Sequence, residues 1–154
     1  MRKVKKFKLT SEFIVDISGV KLFRIKALIE FGNVKAGDLG GYIEKEENLS
    51  HMGDAWVSDD ARISGDARVS GDAQVSGDAR VSGDKDYAYA HGFGSCNRTT
   101  TFFRLKDGDV GVRCGCFYGT LAQFRDKVCE THGETKKAQE YLMLADLMEI
   151  RFKN

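Results

Sequence analysis

From Val57 to Asp84 the apolar and polar positions recur every six residues, reading VSDDAR, ISGDAR, VSGDAQ, VSGDAR and VSGD. Val57, Ile63, Val69, Val75 and Val81 open the hexads, and Ala61, Ala67, Ala73 and Ala79 stand four positions later. Each unit therefore offers one large and one small inward side chain, the pattern of a β-solenoid whose units bury their apolar faces only against their neighbours. Between them Ser-Gly-Asp suits a tight corner, because Gly65, Gly71, Gly77 and Gly83 reach dihedrals that a Cβ disfavours. Extended backwards, the register puts Leu39 at an opening position and Ile43, Leu49 and Ala55 at the small one, with Lys45 and His51 breaking the aliphatic rule. The repeat region then covers residues 39–86, two to three coils, and needs a cap at each end.

The flanks supply those caps: a β segment over 1–38 and a small α+β module over 87–154. Lys6–Leu9, Phe13–Ile17 and Val20–Ile29 are rich in alternating or β-branched residues, with a turn at Ser18-Gly19, and predict a hairpin or small meander. A helix over 21–31 competes, since Leu22, Ile25, Leu28 and Ile29 also fit a 3.6 period. Farther on, Thr99–Leu105 and Val110–Phe117 flank Asp107-Gly108, a strong hairpin signal. Val110, Val112, Cys114 and Cys116 share one face of the second strand. Thr120 and Gln123 form a capping box for a helix carrying Leu121, Phe124 and Val128 and ending at Gly133. A second helix from Thr135 places Tyr141, Leu144, Ala145 and Met148 on one stripe, a candidate contact between copies.

Net charge is +1, and no apolar run approaches the length that spans a bilayer, which points to a cytosolic protein away from membranes. Cys96, Cys114, Cys116 and Cys129 follow no export signal, so free thiols are expected. Charge is uneven: residues 51–86 hold 4 Lys and Arg against 8 Asp and Glu. Asp60, Asp66, Asp72, Asp78 and Asp84 recur at one hexad position, which raises a further alternative, an acidic solenoid imitating a nucleic acid's phosphates. Arg62, Arg68 and Arg80 alternate with them and favour solvated corners instead. The basic start, Arg2, Lys3, Lys5, Lys6 and Lys8, reads as protection of an edge strand more than as a nucleic-acid contact.

The hexads with Val or Ile first and Ala fifth resemble the left-handed parallel β-helix of hexapeptide-repeat proteins, in which three hexads make a triangular coil. That resemblance implies a homo-oligomer, with a trimer favoured, and raises an enzymatic alternative, since many hexapeptide proteins are acyltransferases using a histidine base. Of His51, His91 and His132 only His51 falls within the coils. Over nearly its whole length the chain also resembles a family of small phage and prophage proteins. The run Gly32–Ser50, the hexads and Cys114-Gly-Cys-Phe-Tyr-Gly-Thr-Leu121 carry the likeness. It implies a bacterial-cytosol setting and a counter-defence role, and brings no catalytic residues with it.

Two groupings carry candidate chemistry. Gly94, Ser95, Asn97, Arg98, Thr99 and Thr100 concentrate hydroxyl, amide and guanidinium donors on a loop entering a strand, which suits phosphate or carboxylate. Cys96 in the same loop is the thiol in the most polar setting. Cys114, Cys116, Cys129 and His132 give C-x-C and C-x2-H, a thiolate and imidazole set compatible with zinc, though the same cysteines also suit an apolar core. The residues together predict a non-enzymatic protein that binds a host protein or a small anionic, nucleotide-like ligand, with no catalytic residue assigned.

Overall fold

The computed structural model describes residues 5–93, 98–115 and 117–153. It is mainly β with two C-terminal helices. Strands β1 (Phe7–Val15) and β2 (Lys21–Ala27) form an antiparallel hairpin, so the two apolar runs before Ser18 are one strand, with a register shift between Leu9 and Phe13. The helix that competes for residues 21–31 does not form. Leu22, Ile25 and Ala27 are buried from an extended strand that pairs along both edges.

Strand β3 (Leu39–Ile43) takes β2 on one side, antiparallel, and the hexad strands on the other. β5 (Arg62–Ile63) and β7 (Arg80–Val81) follow in parallel, giving the order β1-β2-β3-β5-β7. A second side of the coil is the parallel bridge of Leu49 to Val69, and the third pairs β4 (Trp56–Val57) with β6 (Gln74–Val75). Val57, Ile63, Val69, Val75 and Val81 and the alanines 61, 67, 73 and 79 all lie in one buried core.

The first coil corrects the register. Ile43 pairs with Ile63 and Leu49 with Val69, so both occupy the large inward position, and Leu39 is 56% exposed. Only Ala55 stands where the backward register puts it, at the small position. The cause is an inserted His51-Met52: Ser50 to Asp54 does the work of the three-residue corner Ser70-Gly71-Asp72. Gly83 is not a left-handed corner either; its φ of −165° is extended, and the chain leaves the solenoid there through a 3₁₀ turn at Asp84–Asp86. Gly77 is a true corner, with φ +64°, and a Cβ on it would overlap the Tyr118 ring. At the matching place one coil earlier Asp59 adopts φ +56°, and its carboxylate accepts the Gly77 N–H at 3.0 Å.

Two coils and the first side of a third leave unpaired backbone at both ends, and the flanks occupy it. At the first end Lys6 is 1% exposed, and its ammonium donates to the Ala55 carbonyl at 2.6 Å and the Gly53 carbonyl at 3.3 Å, 4.6 Å from the Phe31 ring centroid. Lys6 is therefore a buried cap and not an exposed edge guard. Its backbone N–H reaches His51 Nδ1, and the Phe7 ring stacks on the same imidazole at 4.3 Å. At the other end the Gln74 N–H donates to the Thr101 hydroxyl at 2.9 Å, Leu105 bridges Ala79, and Phe103 closes the core.

Those last residues belong to an antiparallel sheet of β8 (Tyr87–Phe93), β9 (Arg98–Arg104), β10 (Val110–Cys114) and β11 (Phe117–Thr120), ordered β11-β10-β9-β8. The hairpin at Asp107-Gly108 and both helices, α1 (Leu121–His132) and α2 (Lys136–Arg151), form where the sequence puts them. Thr120 and Gln123 exchange the two bonds of the capping box, and Gly133 ends α1 at φ +58°. Strands β8 and β11 are additions. Phe102, Val110 and Val112 face the helices, while Phe103 faces the solenoid, so β9 is shared by two cores. Tyr141, Ala145 and Met148 are buried in the second core, which removes them as a contact between copies; the exposed apolar stripe of α2 is Met143, Leu147 and Ile150. Among the described residues no helix is long and apolar enough to cross a membrane.

Burial lowers the Lys6 ammonium from 10.5 to about 8, against the pull of Asp54 and Asp72. The folded state thus binds this proton less tightly than the unfolded chain. The penalty is full below pH 8 and relaxes as pH rises toward 10.5. Urea unfolding should therefore show stability increasing by about 1–2 kcal/mol between about pH 7.5 and 9.5, and Lys6→Gln should flatten that slope.

Candidate anion-binding site

Where the third coil is interrupted, β7, the 3₁₀ turn, the β9–β10 turn and the end of α2 enclose a cleft of about 620 Å³. Six cations line it: Arg80, Lys85, Arg104, Lys106, Arg151 and Lys153, with Asp86 as the sole carboxylate. Local structure places each. Ala79 and Val81 point inward, so Arg80 between them points out. Lys85 and Asp86 sit on the turn that replaces a glycine corner, Lys106 on the hairpin turn, and Arg151 in the last turn of α2, where the helix dipole favours a cation.

The guanidiniums are held from behind by the backbone. Arg80 Nη1 donates to the carbonyls of Asp60, Asp78 and Ala79, and Arg151 Nη2 to those of Asp84 and Tyr87. Arg104 donates to the Phe152 carbonyl and to Asp86 Oδ1, both at 3.1 Å. The other Asp86 oxygen accepts the Ser82 N–H and hydroxyl. Burial would raise this carboxyl, but those bonds outweigh it and hold it below its ordinary value. Asp86 is thereby committed to the protein. Lys85, Lys106 and Lys153 are exposed and make no ion pair among the described residues. Burial and the like charge of Arg62 lower the pKa of Arg80, against the pull of Asp78 and Asp60.

Of the loop residues expected to hold an anion, Gly94, Ser95 and Asn97, with Cys96, lie outside the described residues. Arg98 opens β9 opposite Phe93. The Thr99 hydroxyl is 2.7 Å from His91 Nδ1. Thr100 is a correction: it is fully buried, its hydroxyl bonds Cys114 Sγ at 3.3 Å, and it faces no loop ligand. Among the described residues the zinc candidates form no metal-binding cluster. Cys114 packs against the second core, Cys129 is exposed on α1, His132 lies against Tyr141, and Cys116 is outside the described residues. Among the described residues no three His, Cys, Asp or Glu side chains could share a metal ion. His51, the one histidine in the coils, accepts a backbone N–H at Nδ1 and turns Nε2 toward Glu46 at 3.6 Å. The solenoid carboxylates of Asp59, Asp72 and Asp84 accept backbone N–H groups across coils, which stitches the turns together.

The cleft residues are scattered from 80 to 153, and only the cations at element ends, Lys106 and Arg151, hinted at them in the sequence. The family model of the YdcK beta solenoid repeat matches residues 61–73 and again 73–84. This segment is therefore similar to that repeat, and the chain carries a β-solenoid. No curated protein matches the chain.

Removing Asp86 strands Arg104 and two Ser82 donors. Asp86→Ala should cost about 1.5–3 kcal/mol at neutral pH by thermal unfolding. Because the folded carboxyl titrates below 3.8, its contribution is present above that pH and the gap to the parent should close as pH falls below it.

Proposed function

We propose that the protein is a non-enzymatic binding protein that holds a small anionic ligand in the cleft at the end of its solenoid. The observation that carries this reading is six cations around one space, with the sole carboxylate already engaged by Ser82 and Arg104. Backbone-anchored guanidiniums are pre-organised donors, so an anion arriving there orders few side chains. The resemblance to phage proteins supports a counter-defence role in the bacterial cytosol, in which the ligand is sequestered and returned unchanged. The solenoid winds left-handed in this reading, as in the hexapeptide proteins it resembles.

Two alternatives are weighed with it. An acyl transferase needs a histidine nitrogen facing its substrate; His51 spends Nδ1 on the Lys6 N–H, and its Nε2, 3.6 Å from Glu46, is buried with no hydrogen-bond partner. A nucleic-acid mimic needs an array of outward carboxylates, whereas Asp72 and Asp84 of the repeated aspartates accept backbone N–H groups of the neighbouring coil.

Lys85→Gln with Lys106→Gln removes two ammoniums and no internal bond. The pair should weaken binding of inorganic phosphate or pyrophosphate about ten- to a hundredfold in calorimetry at low salt, with an unchanged melting temperature. No binding of either anion by the parent would overturn the reading. Loss of binding on Arg98→Ala instead would move the site to the loop.

The assembly belongs to the same proposal. Met143, Leu147 and Ile150 are 70%, 53% and 72% exposed along one face of α2, and a second copy covering them fits a homo-oligomer, with a trimer favoured. Light scattering at micromolar concentration should give three chains. A single-chain mass would remove the oligomer.

A further inference from the structure

We infer that the cleft takes a compact chain of linked phosphates, as in pyrophosphate, tripolyphosphate or the tail of a nucleotide, in preference to a single phosphate or a polymer. This rests on the anion reading above and deepens it.

Charge comes first. Six cations face one engaged carboxylate, so a lone phosphate of charge near −2 leaves most of the surplus in place. Donor capacity agrees with this. Among the described residues Arg80 spends only Nη1 on the protein and Arg151 only Nη2, which leaves N–H donors on Nε and on the other Nη of each for a ligand.

The second observation lies on the neighbouring rung. Arg62 pairs in register with Arg80 on adjacent parallel strands, roughly 4.8 Å apart, and both side chains leave the same face. Arg62 Nε is buried and has no hydrogen-bond partner. Two guanidiniums side by side repel each other, and an anion lying across both relieves the repulsion. Linked phosphates leaving the cleft past Arg80 meet Arg62 next.

The track then stops. The next outward residue is Tyr42, and beyond it Arg24 is neutralised by Glu12 at 2.7 Å and stacked on the Tyr42 ring. A cationic run two rungs long, opening from one cleft, fits a few phosphates and not a nucleic-acid backbone.

The test is calorimetry at low salt with inorganic phosphate, pyrophosphate, tripolyphosphate, ATP and a single-stranded oligonucleotide. Affinity should rise at least about tenfold from phosphate to tripolyphosphate. Arg62→Gln should cancel that gain while leaving phosphate within about twofold, and Arg62→Lys should keep part of it. ATP equal to tripolyphosphate, or tighter, supports the inference; the first outcome assigns recognition to the phosphates alone, and the second adds a contact to the nucleoside. Equal affinity for phosphate and tripolyphosphate would overturn it and leave the anion reading standing. An oligonucleotide bound more tightly than tripolyphosphate would overturn it in favour of a polymer. If no anion binds, both fall. Circular dichroism of the Arg62 variants separates loss of binding from loss of fold.

Discussion

A parallel solenoid satisfies its backbone through the coils above and below, and a solenoid of only two coils has ends that weigh as much as its middle. That constraint organises the rest of the chain. At the first end the Ala55 carbonyl points where no coil follows, and the Lys6 ammonium takes it. At the other end the Gln74 N–H has no strand to pair with, and the Thr101 hydroxyl takes it. The Tyr87 hydroxyl donates to the Arg68 carbonyl, and the Lys106 N–H to that of Asp78. Each flank is therefore attached through the backbone groups that the repeat leaves unpaired. The cost is a buried ammonium at one end, borne because an unpaired buried carbonyl is also unfavourable.

The cleft follows from the way the second cap is built. After Val81 the chain could have turned another glycine corner. It forms a 3₁₀ turn at Asp84–Asp86 and leaves as β8. The last rung of the five-stranded sheet is thus uncovered on its outer side, and the β9–β10 turn and the end of α2 close around it at a distance. Side chains from four separate elements meet there, and Asp86 ties the end of β7 to β9 through Ser82 and Arg104. The surrounding solenoid is acidic, which confines the positive field to the cleft.

The inward ladder, the corners at Gly65, Gly71 and Gly77, the hairpin at Asp107-Gly108 and both helix caps were readable because each is set by residues a few positions apart. Side-chain alternation along a strand, a hydroxyl three residues before an amide, and a glycine at positive φ are local requirements. The first coil was misread for the same reason. Gly53-Asp54 imitates a regular corner, and the inserted His51-Met52 is visible only when Leu49 is seen beside Val69. Thr100 looked like a loop hydroxyl because its polarity is local, whereas its burial depends on Cys114 from the next strand.

By itself the sequence determined the period, the solenoid and the character of its two flanks, since those depend on spacing within a few residues. Which groups would meet was decided by the tertiary structure alone. Lys6 reaches Ala55, Thr101 reaches Gln74, and Arg80, Arg104 and Arg151 converge across 71 positions of chain. Such pairings depend on how the open ends of the solenoid are closed, and that closure is a property of the packed chain and of no segment within it.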